Sequence, residues 1–455
     1  MKDYTTISRI YFIGIGGIGM SALAKYYLSK NALVSGYDKT VTNLTRQMEN
    51  DGINIHYEDD IELLDKNAQL VVYTPAVPKD HKELNYYLHN NYELIKRSAL
   101  LGEITKSSFN ICIAGTHGKT TISTMVAHIL RHSGFGCNAF LGGISVNYNT
   151  NFWKSDNNVS VVEADEYDRS FLKLSPDIAL ISAMDADHLD IYGTKENMEH
   201  SFFEFSGKLK EGGLLLTNYS LPAGEFSAVN HLRYSLQNKQ ADVFADDIKL
   251  LNGAYQFNVA SKSWQLNDVK LNMGGMHNIE NAVAAITIAN HLSIEPEKIK
   301  AAVDDFKGVK RRFEYIIKND MIVFIDDYAH HPEELRALIK SAKNLFPAMR
   351  CTIVFQPHLF SRTRDFANEF AEVLNLGDDV YLLPIYPARE LPIENVTSEM
   401  ITDRMNEAKG VCYKKEELLQ ILNDRKREHD LELVITAGAG DIDQLVQPIK
   451  EILLK

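Results

Sequence analysis

Near residue 111 an apolar run, a glycine-rich loop and a helical pattern stand in direct succession, and few folds admit that order. Ile111-Cys112-Ile113-Ala114 reads as a buried strand, Gly115-Thr116-His117-Gly118-Lys119-Thr120-Thr121 follows, and Met125, Ala127, Ile129 and Leu130 continue as a helix. Strand, loop and helix in that order place backbone N–H groups and a helix N-terminus around an anion. Lys119 is positioned to neutralise β- and γ-phosphates, and the Thr120 hydroxyl can ligate Mg²⁺. Only two residues separate Gly115 from Gly118, so the loop departs from the common GxxxxGK[ST] spacing. The alternative is a glycine turn with a surface lysine.

A chain of 455 residues is long for one core, and a prior of about 150 residues per domain suggests about three. The α/β rhythm repeats three times. Ile10 to Ile15, Gly14-Ile15-Gly16-Gly17-Ile18-Gly19 and a helix with Met20, Leu23, Ala24, Tyr27 and Leu28 open a small doubly wound sheet. It continues through Ala32 to Tyr37 and Leu70 to Tyr73. Strands at Val159 to Val162 and Ile178 to Ser182 extend the second unit. Residues 214–271 alternate apolar and polar positions, which predicts an antiparallel extension. A last unit has strands at Met321 to Ile325, Thr352 to Phe355, Val380 to Leu383 and Leu433 to Thr436. Polar stretches at TKSSFN and Lys307 to Arg312 set the expected domains at 1–107, 108–310 and 311–455.

Composition narrows the function classes. With 48 basic and 61 acidic residues the net charge is −13, which disfavours a sequence-independent grip on nucleic acid or an anionic membrane. No apolar run approaches the roughly 18 residues of a membrane span, and the start lacks the regions of a signal peptide, so a cytoplasmic protein is expected. Cys112, Cys137, Cys351 and Cys412 lack CxxC spacing and read as reduced thiols.

Polar clusters recur at strand ends, the edge where α/β sheets bind ligands. Glu163-Ala164-Asp165-Glu166 follows one strand and Asp185-Ala186-Asp187-His188-Leu189-Asp190 another. Either is a solvated loop or, beside a phosphate loop, part of a Mg²⁺ shell. The turn Gly14 to Gly19, with Asp38 about twenty residues on as a ribose-binding acid would be, also fits a dehydrogenase. That reading leaves the second phosphate loop unexplained. Gly274-Gly275-Met276-His277-Asn278 precedes a helix predicted from Asn278 to His291, so Asn278 is either its N-cap or, like His277, a nucleotide contact. Arg311-Arg312 is a hinge pair or a source of cations for a transferring phosphoryl group. Asp326-Asp327-Tyr328-Ala329-His330-His331-Pro332, Gln356-Pro357-His358 and Ser361-Arg362 end two further strands and suggest a substrate face.

In this order, GIGGIGMSALA, GTHGKTT, EADEYD, DADHLD, GGMHNIENA, GVKRRFE, DDYAHHPEE, FQPHLFSRT and PARELPI cover nearly the whole chain, and together they resemble the Mur ligase family. The resemblance implies three α/β domains: an N-terminal Rossmann-like UDP-sugar domain, a central P-loop ATPase-type domain with a mostly parallel sheet, and a C-terminal Rossmann-like domain for the amino acid. It implies an ATP-dependent carbon–nitrogen ligase acting on UDP-N-acetylmuramate and L-alanine in peptidoglycan synthesis, with Mg²⁺ or Mn²⁺, as a monomer or homodimer. Its magnesium ligands fall on Thr120, Glu163 and His188. Nucleotide contacts fall on Gly115 to Thr121, His277, Asn278, Arg312 and Asp327. The UDP-sugar side comprises Gly14, Gly16, Gly17, Gly19, Asp38 and Thr74; the amino-acid side comprises Tyr328, His330, Arg362 and Arg389. Lys119, Glu163, His188, Arg312 and His330 carry the chemistry. Two stretches depart from the family pattern: Leu359-Phe360 stands where Arg and Tyr are frequent, and Glu166-Tyr167-Asp168 replaces a smaller polar residue. The rival readings are a recycling ligase that adds a preformed tripeptide, a folate polyglutamylating enzyme and a nucleotide-binding sensor without ligase activity.

Overall fold

The computed structural model describes residues 3–185, 189–251, 253–388, 390–406 and 410–455. Strands β1 (Arg9–Ile13), β2 (Leu33–Tyr37), β3 (Asn54–His56), β4 (Leu70–Tyr73) and β5 (Leu94–Lys96) form a parallel sheet in the order β3-β2-β1-β4-β5. Ile10, Tyr11, Phe12 and Ile13 of β1 are essentially inaccessible, as a central parallel strand covered on both faces requires. Each such side chain contributes roughly 2 kcal/mol relative to exposure.

The second sheet contains β6 (Phe109–Ala114), β7 (Asn138–Ser145), β8 (Thr150–Trp153), β9 (Val159–Glu163), β10 (Ile178–Ile181), β11 (Leu214–Asn218), β12 (Asn230–Ser235), β13 (Val243–Leu251), β14 (Ala254–Ser261) and β15 (Gln265–Leu271). Its order is β15-β14-β13-β12-β11-β10-β6-β9-β7-β8. The antiparallel extension expected over 214–271 does not begin at Leu214: β11 joins β10 in parallel, β12 joins β11 in parallel, and β13 begins parallel to β12. Leu214, Leu215 and Leu216 are all buried, so β11 is a two-sided core strand rather than an alternating one.

The third sheet has β16 (Glu314–Lys318), β17 (Val323–Asp327), β18 (Cys351–Phe355), β19 (Asp379–Leu382), β20 (Gly410–Cys412) and β21 (Leu433–Ala437), in the order β16-β17-β21-β18-β19-β20. Only the edge strand β16 is antiparallel to its neighbour. The chain divides into two compact units. One holds residues 1–246, 258–269 and 280–306, and thus both the first sheet and the phosphate loop; the other holds 247–257, 270–279 and 307–455. Cys112, Cys137 and Cys351 are buried free thiols and Cys412 is half-buried. Among the described residues no helix is long and apolar enough to cross a membrane.

Behind the phosphate loop, His128 is fully buried in the helix Lys119–His132. Its Nε2–H donates to the Ala302 carbonyl (2.8 Å), which leaves Nδ1 to accept from the Tyr148 hydroxyl (3.0 Å), so the neutral ring is satisfied at both nitrogens. Burial pushes its pKa down from 6.5 to about 4. Below the ordinary value the unfolded chain takes up a proton that the folded chain refuses. Stability is therefore expected to fall between these two values by at most about 1.4 kcal/mol per pH unit, about 3 kcal/mol in all. Urea midpoints measured from pH 7.5 to 4.5 should show this slope. His128→Gln, whose amide can make both hydrogen bonds, should lose one proton's worth of it; an unchanged slope would contradict the assignment.

Candidate active site

The loop 115–118 leaves the carboxyl end of β6, which lies between β10 and β9. Gly115 has φ +127°, and a Cβ there would stand 2.2 Å from Ser182 Oγ and 2.8 Å from the Ala183 nitrogen, so only glycine lets the loop pass the end of β10. The Thr116 amide donates to the Ala183 carbonyl (3.0 Å) and the Asp185 amide to Thr116 Oγ1 (3.1 Å), while Ser182 Oγ donates to the His117 carbonyl. His117 and Asp185 lie 3.4 Å apart as an exposed pair of little energetic weight. Gly118 is the N-cap of the helix Lys119–His132.

From the first turn of that helix Lys119 and Thr120 face two carboxylates, Glu163 at the end of β9 and Glu166 just beyond it. The Lys119 ammonium donates to the Gly115 carbonyl (2.6 Å) and to Glu166 Oε1 (2.8 Å). Thr120 Oγ1 donates to Glu163 Oε1 (3.0 Å). The other oxygen of Glu163 accepts from Ser123 Oγ (3.4 Å) and from the Gly142 amide (3.0 Å). Hydroxyl and carboxylate oxygens converging in this way are the hard donors that Mg²⁺ prefers. His188, expected as the third ligand, lies outside the described residues.

Glu163 also borders a cavity of about 380 Å³ with Gly17, Gly19, Thr74, Arg97 and Asp165. The helix Ile18–Ser29 begins here, with Gly17 as its N-cap. Arg97, absent from the sequence expectation, packs against Gly19 and lies 3.7 Å from Asp165. A guanidinium beside the positive end of a helix dipole favours an anion between them. The signal for Arg97 was its place directly after β5, at the same sheet edge as the glycine turn. Gly14, Gly16 and Asp38 form the underside of the turn. The Gly14 amide donates to the Tyr37 carbonyl (2.8 Å), the Gly16 amide to Asp38 Oδ2 (2.7 Å) and the Thr40 amide to Asp38 Oδ1 (3.1 Å).

In the second unit, three expected nucleotide contacts, Asp327, Arg312 and, through Gly274, Asn278, are tied to Phe313. Its amide donates to Asp327 Oδ2 (2.6 Å), its ring packs on Gly274, and Arg312 precedes it as an exposed residue. Asp327 Oδ1 accepts from the Ala329 amide (2.7 Å), yet burial still pushes the carboxyl up to about 6. Asn278 is not an N-cap. The helix runs Met276–His291, starting two residues earlier than expected, and Asn278 Nδ2 donates back to the Gly274 carbonyl (2.6 Å) from within the first turn; His277 is exposed. Arg311 differs from its neighbour: its guanidinium donates to the Gly438 carbonyl, lies 3.6 Å from buried Asp326 and 5.0 Å from the Tyr328 ring centre.

His330 is held by its Nδ1–H, which donates to the Tyr328 carbonyl (2.8 Å). Nε2 is thus the ring's lone-pair nitrogen, and burial lowers the His330 pKa, so the ring is suited to accept a proton. The His358 ring lies 5.8 Å from His330 and stacks on Tyr386, and Arg362 is near enough to lower the His330 pKa further. Arg389 lies outside the described residues. The loop after β21 was missed by sequence reading. Gln356 joins it by donating to Asp441 Oδ1 (2.8 Å) and accepting from the Ile442 amide (2.9 Å).

Three mostly parallel sheets, a phosphate loop and a strand-end carboxylate facing a threonine define the class, and the chain belongs to the Mur ligase family. The family's sequence models match residues 9–109 (Mur ligase family, catalytic domain), 113–289 (Mur ligase middle domain) and 311–440 (Mur ligase, glutamate ligase domain). The chain is 46% identical to the UDP-N-acetylmuramate–L-alanine ligase of Cytophaga hutchinsonii, over 98% of this chain and 97% of that protein. It is 44% identical to the ligase of the same name from Christiangramia forsetii, over 100% and 99%. The crystal structure of UDP-N-acetylmuramate-alanine ligase from Thermotoga maritima superposes with a TM-score of 0.83 at 27% identity, covering 97% of this chain and 98% of that one.

Proposed function

We propose that the protein joins L-alanine to the carboxylate of UDP-N-acetylmuramate at the expense of ATP, a cytoplasmic step of peptidoglycan synthesis. The observation that carries this reading is the meeting of the Thr120–Glu163 pair with the cavity that opens onto the Gly17–Gly19 turn, since a phosphoryl donor and a UDP-sugar would each find an anion site there. Residues 1–107 would bind the UDP-sugar, 108–310 ATP and 311–455 the amino acid. Thr120 and Glu163, with His188, would hold Mg²⁺, which when bound neutralises charge on the phosphates. Gly115 to Gly118 would present backbone amides to those phosphates, and Lys119 would stabilise the charge that develops as the muramate carboxylate attacks the terminal phosphorus and ADP leaves. The amine of L-alanine then attacks the acyl carbon, phosphate departs, and the proton lost from nitrogen passes to His330 Nε2. Arg362 and Arg389 would engage the amino-acid carboxylate; His277, Asn278, Arg312 and Asp327 would line the nucleotide side.

Phosphate release from ATP tests the reading. With UDP-N-acetylmuramate present, L-alanine should stimulate it. Stimulation by the L-Ala-γ-D-Glu-diaminopimelate tripeptide instead would assign the recycling reaction, and stimulation by neither would favour a sensor.

A further inference from the structure

Glu166 has no role in the assignment above, yet it is the carboxylate that holds the phosphate-loop lysine. Its side chain is 1% exposed, Oε1 lies 2.8 Å from Lys119 Nζ, and Oε2 has no hydrogen-bond partner among the described residues. A buried carboxylate that uses half of its acceptor capacity costs stability and is not what packing alone would select. The backbone beside it is also strained. Asp168 and Arg169 adopt φ of 52° and 53°, the left-handed region that side chains disfavour, and the Glu166 carbonyl accepts from both the Arg169 amide (2.9 Å) and the Tyr192 hydroxyl (2.5 Å). Strain of this kind persists where surrounding structure enforces it, and here it ends the segment that turns Glu166 back toward the loop while Glu163 and Asp165 face the cavity.

An ammonium carries three N–H donors. In Lys119 one is directed to the Gly115 carbonyl and a second to Glu166 Oε1, which fixes the direction of the third. We infer that Glu166 is a positioning residue for Lys119: it aims the remaining N–H of the ammonium at the phosphoryl oxygen that arrives at the loop. The inference rests on the phosphate-loop reading above and adds to it the residue that orients its cation.

The test compares Glu166→Ala, which removes the acceptor, with Glu166→Gln, whose amide oxygen keeps it without the charge. Glu166→Ala is expected to lower kcat about thirty-fold while KM for ATP moves less than about three-fold, because a misdirected group weakens the transition state more than the ground state. Glu166→Gln should retain kcat within about three-fold of wild type by the same argument. In the Lys119→Ala background, Glu166→Ala should cost nothing further, since it acts through the missing ammonium. Wild-type kcat in Glu166→Ala, an equal loss in Glu166→Gln, or a further loss in the double variant would overturn the inference while leaving the phosphate loop intact. Near-normal turnover in Lys119→Ala alone would overturn the loop assignment and this inference together.

Discussion

Lys119→Ala is expected to lower kcat for ligation by about a thousand-fold or more while UDP-N-acetylmuramate binds with nearly unchanged affinity. The loss follows from what phosphoryl transfer requires: charge spreads over the transferring group, and fixed cations in a partly dry site stabilise it far more than water does. A thousand-fold corresponds to about 4 kcal/mol, a reasonable worth for an ammonium that is 15% exposed and already oriented. The sugar should be indifferent, because Lys119 is not among the residues bordering the cavity beneath the Gly17–Gly19 turn. Removing the cation also leaves Glu166 buried without its partner, so some loss of thermal stability should accompany the loss of rate. Calorimetric titration with the UDP-sugar beside single-turnover kinetics separates these effects. Turnover near wild type would mean that the loop does not hold the reacting phosphates.

Gly142→Ala should lower activity about a hundred-fold and raise the Mg²⁺ concentration needed for half-maximal rate, with little change in melting temperature. A Cβ on residue 142 would lie 2.3–2.4 Å from Oε1, Cδ and Oε2 of Glu163. The obstructed atoms are the free end of a side chain, so the fold accommodates the methyl by moving the carboxylate, and the amide hydrogen bond at 3.0 Å goes with it. Oε1, displaced with the rest of the carboxylate, is the partner of Thr120. A rate unaffected at any Mg²⁺ concentration would show that Glu163 has no part in binding the ion. A large drop in melting temperature would instead place the cost in packing.

These two residues also mark how far the site could be read from sequence. Lys119 and Thr120 were legible because strand, glycines and helix are contiguous, and local geometry determines where their side chains go. Glu163 was legible for a related reason, being the last residue of an apolar strand. Gly142 carries no chemistry of its own; its importance is the space it leaves, and only the parallel pairing of β7 with β9 reveals it. Glu166 hid in the same way, since its partner lies 47 positions earlier and the turn that aims it relies on two non-glycine residues in left-handed geometry. The α/β alternation was clear in each sheet, whereas the parallel pairing of β12 and β13 was not, because strands that mix polar and apolar residues carry no mark of direction. Asn278 illustrates a limit of capping rules. A glycine pair and an asparagine before an apolar stripe fit a cap, but the helix had already begun at Met276.

Asp38 bears on how this sheet could be repurposed. Its two oxygens face Gly16 and Thr40, so the acid that a nicotinamide-binding protein would extend toward a ribose is folded back against its own glycine turn. Grafting redox-cofactor recognition onto the N-terminal sheet would require re-threading the segment after Tyr37, because exchanging Asp38 alone would loosen the turn without offering a hydroxyl acceptor outside it. The glycine spelling does not say which way the acid after it points, and an engineer guided by the spelling alone would alter the wrong position.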